Sequence, residues 1–93
     1  MYEGIYKSLI VEVVENRPGH VAARLVYEGR TITTAQKPSV SSSCAVGFDV
    51  KYVGGVCHVD FDSDYCYPQD DPTVKISFRA GNYKPSKEIR IKF

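Results

Sequence analysis

The stretch that decides the fold runs from residue 44 to residue 62 and reads CAVGFDVKYVGGVCHVDFD. Apolar residues alternate with polar or small ones on both sides of Gly54-Gly55. A glycine pair between two alternating segments is typical of two strands joined by a tight turn. The stretch therefore predicts a β-hairpin, with Phe48 facing Phe61 on its inward side.

The outward side of this hairpin places two carboxylates against each other. Asp49 falls opposite Asp60 in the predicted register, and like charges in such a position destabilise a strand pair. We expect cations of a neighbouring strand to offset the repulsion, because Lys75 and Arg79 have the outward parity. The face is thus predicted to be solvated and charge-compensated.

The rest of the chain repeats the strand pattern. Period-two alternation recurs at 5–13, 20–28, 30–34, 74–80 and 88–93. Loops are predicted at 36–43, rich in proline and serine, and at 62–73, rich in aspartate, tyrosine and proline. About seven short strands with regular turns favour an all-β fold, a small antiparallel β-sandwich or barrel of immunoglobulin-like layout. The 93 residues form a single domain, 1–93, in this interpretation.

Composition and charge narrow the choice of partners and compartment. A net charge of +1 provides no overall attraction to nucleic acid, so a nucleic-acid partner is disfavoured. No apolar run reaches the roughly 20 residues of a membrane-spanning helix. The first residues contain Glu3 and no apolar run of signal length. We therefore expect a cytoplasmic protein, or an extracellular one if the chain is an excised domain with an added Met1.

The three cysteines leave two interpretations open. An odd number is unusual for a secreted disulfide domain, which favours three reduced thiols in a cytoplasmic protein. The alternative is a Cys44–Cys66 bridge with Cys57 buried and free. Strict strand parity places residue 66 on the wrong face of the hairpin, which weighs against the bridge.

The segment from Asp60 to Asp71 concentrates acidic and aromatic side chains. It contains five aspartates and no basic residue, whereas residues 73–93 contain six lysines or arginines and one glutamate. Segregated charge favours steered association with a charged partner, and tyrosines supply rigid contact area. We therefore expect a non-catalytic module that binds another protein through this segment and the charged sheet face. The predicted partner-binding residues are Asp60, Asp62, Asp64, Tyr65, Tyr67, Asp70 and Asp71.

An alternative function is calcium binding in an extracellular or viral-surface domain. Three alternate aspartates from Asp60 onward, with Asp71 at the twelfth position, partly match a calcium-binding loop. Tyr65 stands where that loop needs glycine, and no helices are predicted to flank it. We therefore place calcium second, and the leading interpretation includes no metal and no cofactor.

Catalysis and zinc binding are disfavoured by the arrangement of cysteine and histidine. Cys57 and His58 are neighbours on a predicted strand, so their side chains point to opposite faces. They can form neither a shared zinc site nor a nucleophile–base pair. We expect no enzymatic activity.

The strand layout resembles an immunoglobulin-like sandwich, without the tryptophan and the cysteine spacing of that family. Residues 46–59 followed by 74–93 resemble the immunoglobulin-like third domain of some viral envelope fusion proteins. The size and the acidic loop equally suit a small phage-encoded inhibitor of a host complex.

Overall fold

The computed structural model describes residues 9–93, which form eight strands in two antiparallel sheets. The strands are β1 (Ile10–Arg17), β2 (His20–Tyr27), β3 (Arg30–Ile32), β4 (Ser39–Ser42), β5 (Val46–Val53), β6 (Val56–Asp62), β7 (Thr73–Ser77) and β8 (Ser86–Arg90). The first sheet has the order β1-β2-β6-β5, and the second has the order β4-β7-β8. The prediction of an all-β antiparallel sandwich is confirmed. The predicted start of the first strand at Ile5 lies outside the described residues.

Strand β2 is the centre of the first sheet. It pairs with β1 along its whole length, and on its other edge with β6 first and then with the short β3. Among the described residues the only helix is a single 3₁₀ turn, Pro68–Asp70. No helix in this part of the chain is long and apolar enough to cross a membrane.

The β5–β6 hairpin has the predicted register over most of its length. Asp49 pairs with Asp60 and Val50 with Val59, and both turn glycines have the positive φ that a primed two-residue turn requires. The ladder shifts between Val46 and Asp49, where Gly47 also has a positive φ of 67°. This β-bulge was not predicted, and it pairs Val46 with Asp62.

The core lies between the two sheets. Val59, Phe61, Val74, Ile76, Phe78, Ile89 and Ile91 are buried. Phe48 and Val50 are only half-buried against this core, because β5 is an edge strand of its sheet. The rings of Phe48 and Phe61 still face each other at a centroid distance of 6.3 Å.

One predicted loop and several predicted strand ends differ in the structure. Residues 39–42, predicted as loop, form the edge strand β4 on β7, with Val40 opposite Ile76. Serine has little strand propensity of its own, so pairing with β7 decides the conformation. The last strand ends at Arg90 rather than at the chain end, although Ile91 remains buried.

Cys44 and Cys66 form a disulfide, and Cys57 is buried and free. The prediction of three reduced thiols is therefore wrong for this structure, and the bridge alternative is confirmed. Strand parity does not apply to Cys66, because β6 ends at Asp62 and a turn from Ser63 to Cys66 redirects the chain. The Cα atoms of the two cysteines lie 5.3 Å apart.

Candidate functional site

Six of the seven predicted partner-binding residues, all except Asp60, lie on one continuous stretch that leaves β6. The stretch begins with a side-chain turn, in which Asp62 Oδ1 accepts the N–H of Asp64 at 2.8 Å. The N–H of Cys66 then donates to Ser63 O at 2.9 Å, and the disulfide holds Cys66 to the start of β5. The loop therefore has both a local and a covalent anchor. We call residues 62–71 the acidic loop.

Two tyrosines of the acidic loop project into solvent. Tyr65 is 69% exposed and Tyr67 is 55% exposed, values that are high for large aromatic side chains. They stand on either side of the buried Cys66. After them, the 3₁₀ turn Pro68–Asp70 ends at Asp71 in the left-handed conformation. The loop thus presents aromatic surface together with the carboxylates of Asp64, Asp70 and Asp71, all of them exposed.

Asp60 belongs to a different environment from the acidic loop. It lies on the outer face of the first sheet, opposite His20 of β2, and its Oδ1 is 2.7 Å from Nδ1 of His20. The expectation that Lys75 and Arg79 offset the Asp49–Asp60 repulsion is wrong. Their segment belongs to the second sheet, and the neighbour of β6 is β2.

Histidine and carboxylate side chains cluster around the contact between His20 and Asp60. Glu15, His20 and His58 place their ligand atoms within 4.8 Å of one another, and we call these three residues the histidine cluster. The rings of the two histidines are 6.0 Å apart, and Nε2 of His20 is 3.9 Å from Glu15 Oε2. No other group of three potential metal ligands converges in the described part of the chain.

The histidine cluster was not predicted, although its parts were visible in the sequence. His58 was considered only with its neighbour Cys57, which does point to the opposite, buried face. His20 and Asp60 become neighbours only when β2 pairs with β6, across a sequence separation of 40 residues. The available signal was that both histidines occupy outward positions of their strands, which places them on the same face once the strands pair.

The aspartates of the proposed calcium loop do not form a site. Among residues 9–93, no three of these carboxylates bring their oxygens together in the way that the histidine cluster does. Asp60 hydrogen-bonds His20 and Asp62 accepts a backbone N–H, so both oxygens already have partners. The geometry gives no support to the calcium alternative.

Neither the free thiol of Cys57 nor the hollow beside residues 32–36 has the groups of a reaction centre. Burial raises the pKa of the Cys57 thiol to about 11, so it stays protonated and unreactive at neutral pH. A hollow of about 520 Å³ between residues 32–36 and 79–82 is lined by no histidine, cysteine or carboxylate. Arg79 is its only charged lining residue.

Comparison with known proteins adds no relative. No protein-family model matches the chain, and neither a curated protein nor a solved structure matches it.

Proposed function

We propose that this domain is a non-catalytic module that binds another protein through the acidic loop. The observation that carries the proposal is the exposure of Tyr65 and Tyr67 on a loop tied down by a disulfide. Tyrosine offers a large contact area at low conformational cost, and an anchored loop loses little entropy on binding. Carboxylates beside these rings favour a partner with a basic surface.

The strand order supports an immunoglobulin-like topology for the module. With β3 set aside, β1-β2-β6-β5 and β4-β7-β8 follow the chain order of strands A-B-E-D and C-F-G in an immunoglobulin constant domain. In that assignment the acidic loop connects strands E and F, at one end of the sandwich. Loops at the ends of such sandwiches are common binding surfaces, although a fold alone does not define a function.

The disulfide bears on where the module works. Disulfides persist in oxidising compartments and are rare in the cytosol. The Cys44–Cys66 bridge therefore supports an extracellular setting over the cytoplasmic one that the cysteine count favoured. An origin in a phage or virus stays a prediction.

The proposal is tested by quantitative capture with charge-matched variants. The untagged, oxidised domain is coupled to a support, and proteins bound from its native source are compared between variants. Asp64→Lys with Asp70→Lys alters the acidic loop without touching the Asp62 oxygen that holds the turn. Glu28→Lys with Glu88→Lys makes the same change of charge in the β2–β3 turn and on the second sheet.

We expect a bound protein that the loop variant loses and the control variant keeps. Tyr65→Ser with Tyr67→Ser should abolish the same capture, because the rings supply the contact area. Association with the purified partner should slow as salt is added, since exposed charges steer it. Equal capture by all variants, or none by the wild type, would reject the acidic loop as the binding surface.

A further inference from the structure

We propose that the histidine cluster of Glu15, His20 and His58 binds a divalent transition-metal ion, with zinc as the best-suited ion. Its ligand atoms are two imidazole nitrogens and a carboxylate oxygen, all within 4.8 Å of one another. Two histidines and one glutamate are an established zinc ligand set, in which water completes the tetrahedron. The proposal does not depend on the acidic loop or on its partner.

The state of His20 is the strongest evidence for a ligand. Its Nδ1 lies 2.7 Å from Asp60 Oδ1, and because that oxygen accepts, Nδ1 carries the proton and the lone pair of the neutral ring lies on Nε2. Nε2 is fully buried and forms no hydrogen bond among the described residues. Glu15 Oε2, at 3.9 Å, is too distant to accept one. A buried nitrogen without a partner carries a desolvation cost, and a metal ion between it and Glu15 removes that cost.

Asp60 has the role that a carboxylate takes behind a metal-binding histidine. Such histidines commonly donate their second ring N–H to a carboxylate, which fixes the tautomer and raises the basicity of the ligating nitrogen. Asp60 is the register partner of His20, so the hydrogen bond connects two paired strands. His20 is thereby oriented before any ion arrives.

A β-bulge in β1 brings the carboxylate to the histidines. The register shifts between Val13 and Glu15, so Val14 is the extra residue and Glu15 pairs with Ala22. In an unbulged ladder Val14 would pair with Ala22, and Glu15 would point to the opposite face. Bulges often redirect a side chain at a functional site, and this bulge places Glu15 on the face of His20.

Ala22 leaves room for the ion. It lies between Glu15 of β1 and His58 of β6 in the same cross-strand row, and it is fully buried beneath their side chains. A methyl group at this position lets the longer flanking side chains converge above it. The next outward row is closed by Arg24, whose Nε and Nη2 both donate to Glu12 Oε1.

The remaining distances are closed by side-chain movement on the solvent side. Ligand atoms around tetrahedral zinc are about 3.3 Å apart, so the cluster has to contract by roughly 1.5 Å at most. The side chain of Glu15 is 41% exposed, and its ion pair with Arg17 at 2.9 Å is also on the surface. Such a surface pair is weak and is readily exchanged for a metal bond. Nitrogen ligands favour zinc, copper or nickel over calcium or magnesium.

The test is zinc titration of the untagged, oxidised, chelator-treated protein by calorimetry, with cobalt(II) absorption as a second readout of tetrahedral ligation. We expect one ion per chain. His20→Ala and His58→Ala should each lower the affinity by about a hundredfold or more, because each removes a ligand. Asp60→Asn should lower it by about 10–100-fold through the orientation of His20.

The matched control is Asp49→Asn. It removes the carboxylate directly opposite Asp60 in the ladder without touching the histidine cluster, and we expect less than about a threefold change. Circular dichroism of each variant verifies the fold. Should a histidine variant fail to fold, Glu15→Gln on the edge strand β1 provides the same test.

Three results would overturn the proposal. The wild type binds no zinc, or both histidine variants bind it as tightly as the wild type does, or calcium competes with zinc on equal terms. In the first case the His20–Asp60 contact is an ordinary link between β2 and β6.

Discussion

The acidic loop and the histidine cluster both present carboxylates, yet they are built in opposite ways. The acidic loop is contiguous in sequence and depends on turns and one disulfide for its shape. The histidine cluster takes single residues from β1, β2 and β6, and their positions depend on strand register and a bulge. The exposed rings of the loop can change rotamer to meet a partner, whereas the backbone positions of the cluster are set by strand pairing.

The difference shows what each surface is suited to recognise. An anchored loop with exposed aromatic side chains suits a protein partner, for which contact area matters more than the position of single atoms. A small ion needs ligand atoms at defined distances, which paired strands provide better than a loop does. The following predictions test whether the two regions behave as separate units.

The largest effect is expected from Phe61→Ala, because both regions depend on β6. Phe61 is buried on the inner face of β6, between the outward Asp60 and Asp62. Its removal should lower the free energy of unfolding by about 3–5 kcal/mol. Phe48→Ala on the edge strand should cost only about 1–2 kcal/mol, because Phe48 is half-buried. Urea unfolding measures both, and equal losses would show that β5 and β6 contribute equally to the core.

Removal of the disulfide should destabilise the acidic loop more than the strands that hold the histidine cluster. Cys44→Ser with Cys66→Ser opens a covalent loop that spans a sequence separation of 22 residues, which should cost about 3 kcal/mol of stability. Hydrogen exchange should speed up in the acidic loop more than at β2, whose pairing does not involve the bridge. Uniform acceleration over both would mean that they unfold as one unit.

The buried thiol beneath the histidine cluster should make the domain alkali-sensitive. Burial raises the pKa of Cys57 from 9.0 to about 11, so between these values the unfolded chain loses a proton that the folded chain keeps. Stability should therefore fall as the pH rises from about 9 to 11, by about 2 kcal/mol. Urea unfolding across this range measures the slope, and Cys57→Ala should reduce it. An unchanged slope in the variant would assign the effect to other groups.

The smallest changes in stability are expected from the two opposed carboxylates of the outer face, Asp49 and Asp60. Asp60→Asn weakens the hydrogen bond to His20 and should cost about 1 kcal/mol or less, because the carboxylate is partly exposed. Asp49→Asn removes only the like-charge repulsion and should be neutral or slightly stabilising. Thermal unfolding of both variants measures the difference. A larger loss from Asp49→Asn would place an unrecognised cation at that carboxylate.

Local patterns in the sequence were enough to predict the hairpin, the all-β fold class and the acidic loop. Alternation around Gly54-Gly55 determined the pairing of Asp49 with Asp60, because the turn sets the register of its own two strands. Pairing between strands distant in sequence has no such local determinant. The contact of His20 with Asp60 and the pairing of β4 with β7 both depend on it.

The two bulges differ in how far local sequence reasoning can find them. The extra residue of the bulge that brings Glu15 to the outer face is Val14, and not a glycine. The sequence therefore contains no local sign of this bulge. Gly47 in β5 did offer such a sign, since a glycine within a strand often indicates a bulge. Between Val46 and Asp49 the predicted register was therefore wrong, because the bulge at Gly47 shifts the pairing with β6.

The Cys44–Cys66 bridge turns the β5–β6 hairpin into a closed ring of chain. The exposed Gly54 lies at the far end of that ring, in a tight turn between the two strands. A single cut there leaves both halves covalently joined, so the nicked molecule keeps one mass without reductant and separates into two pieces with it. The same turn can accept a genetic insertion or new chain termini, because the ring keeps the two strands together.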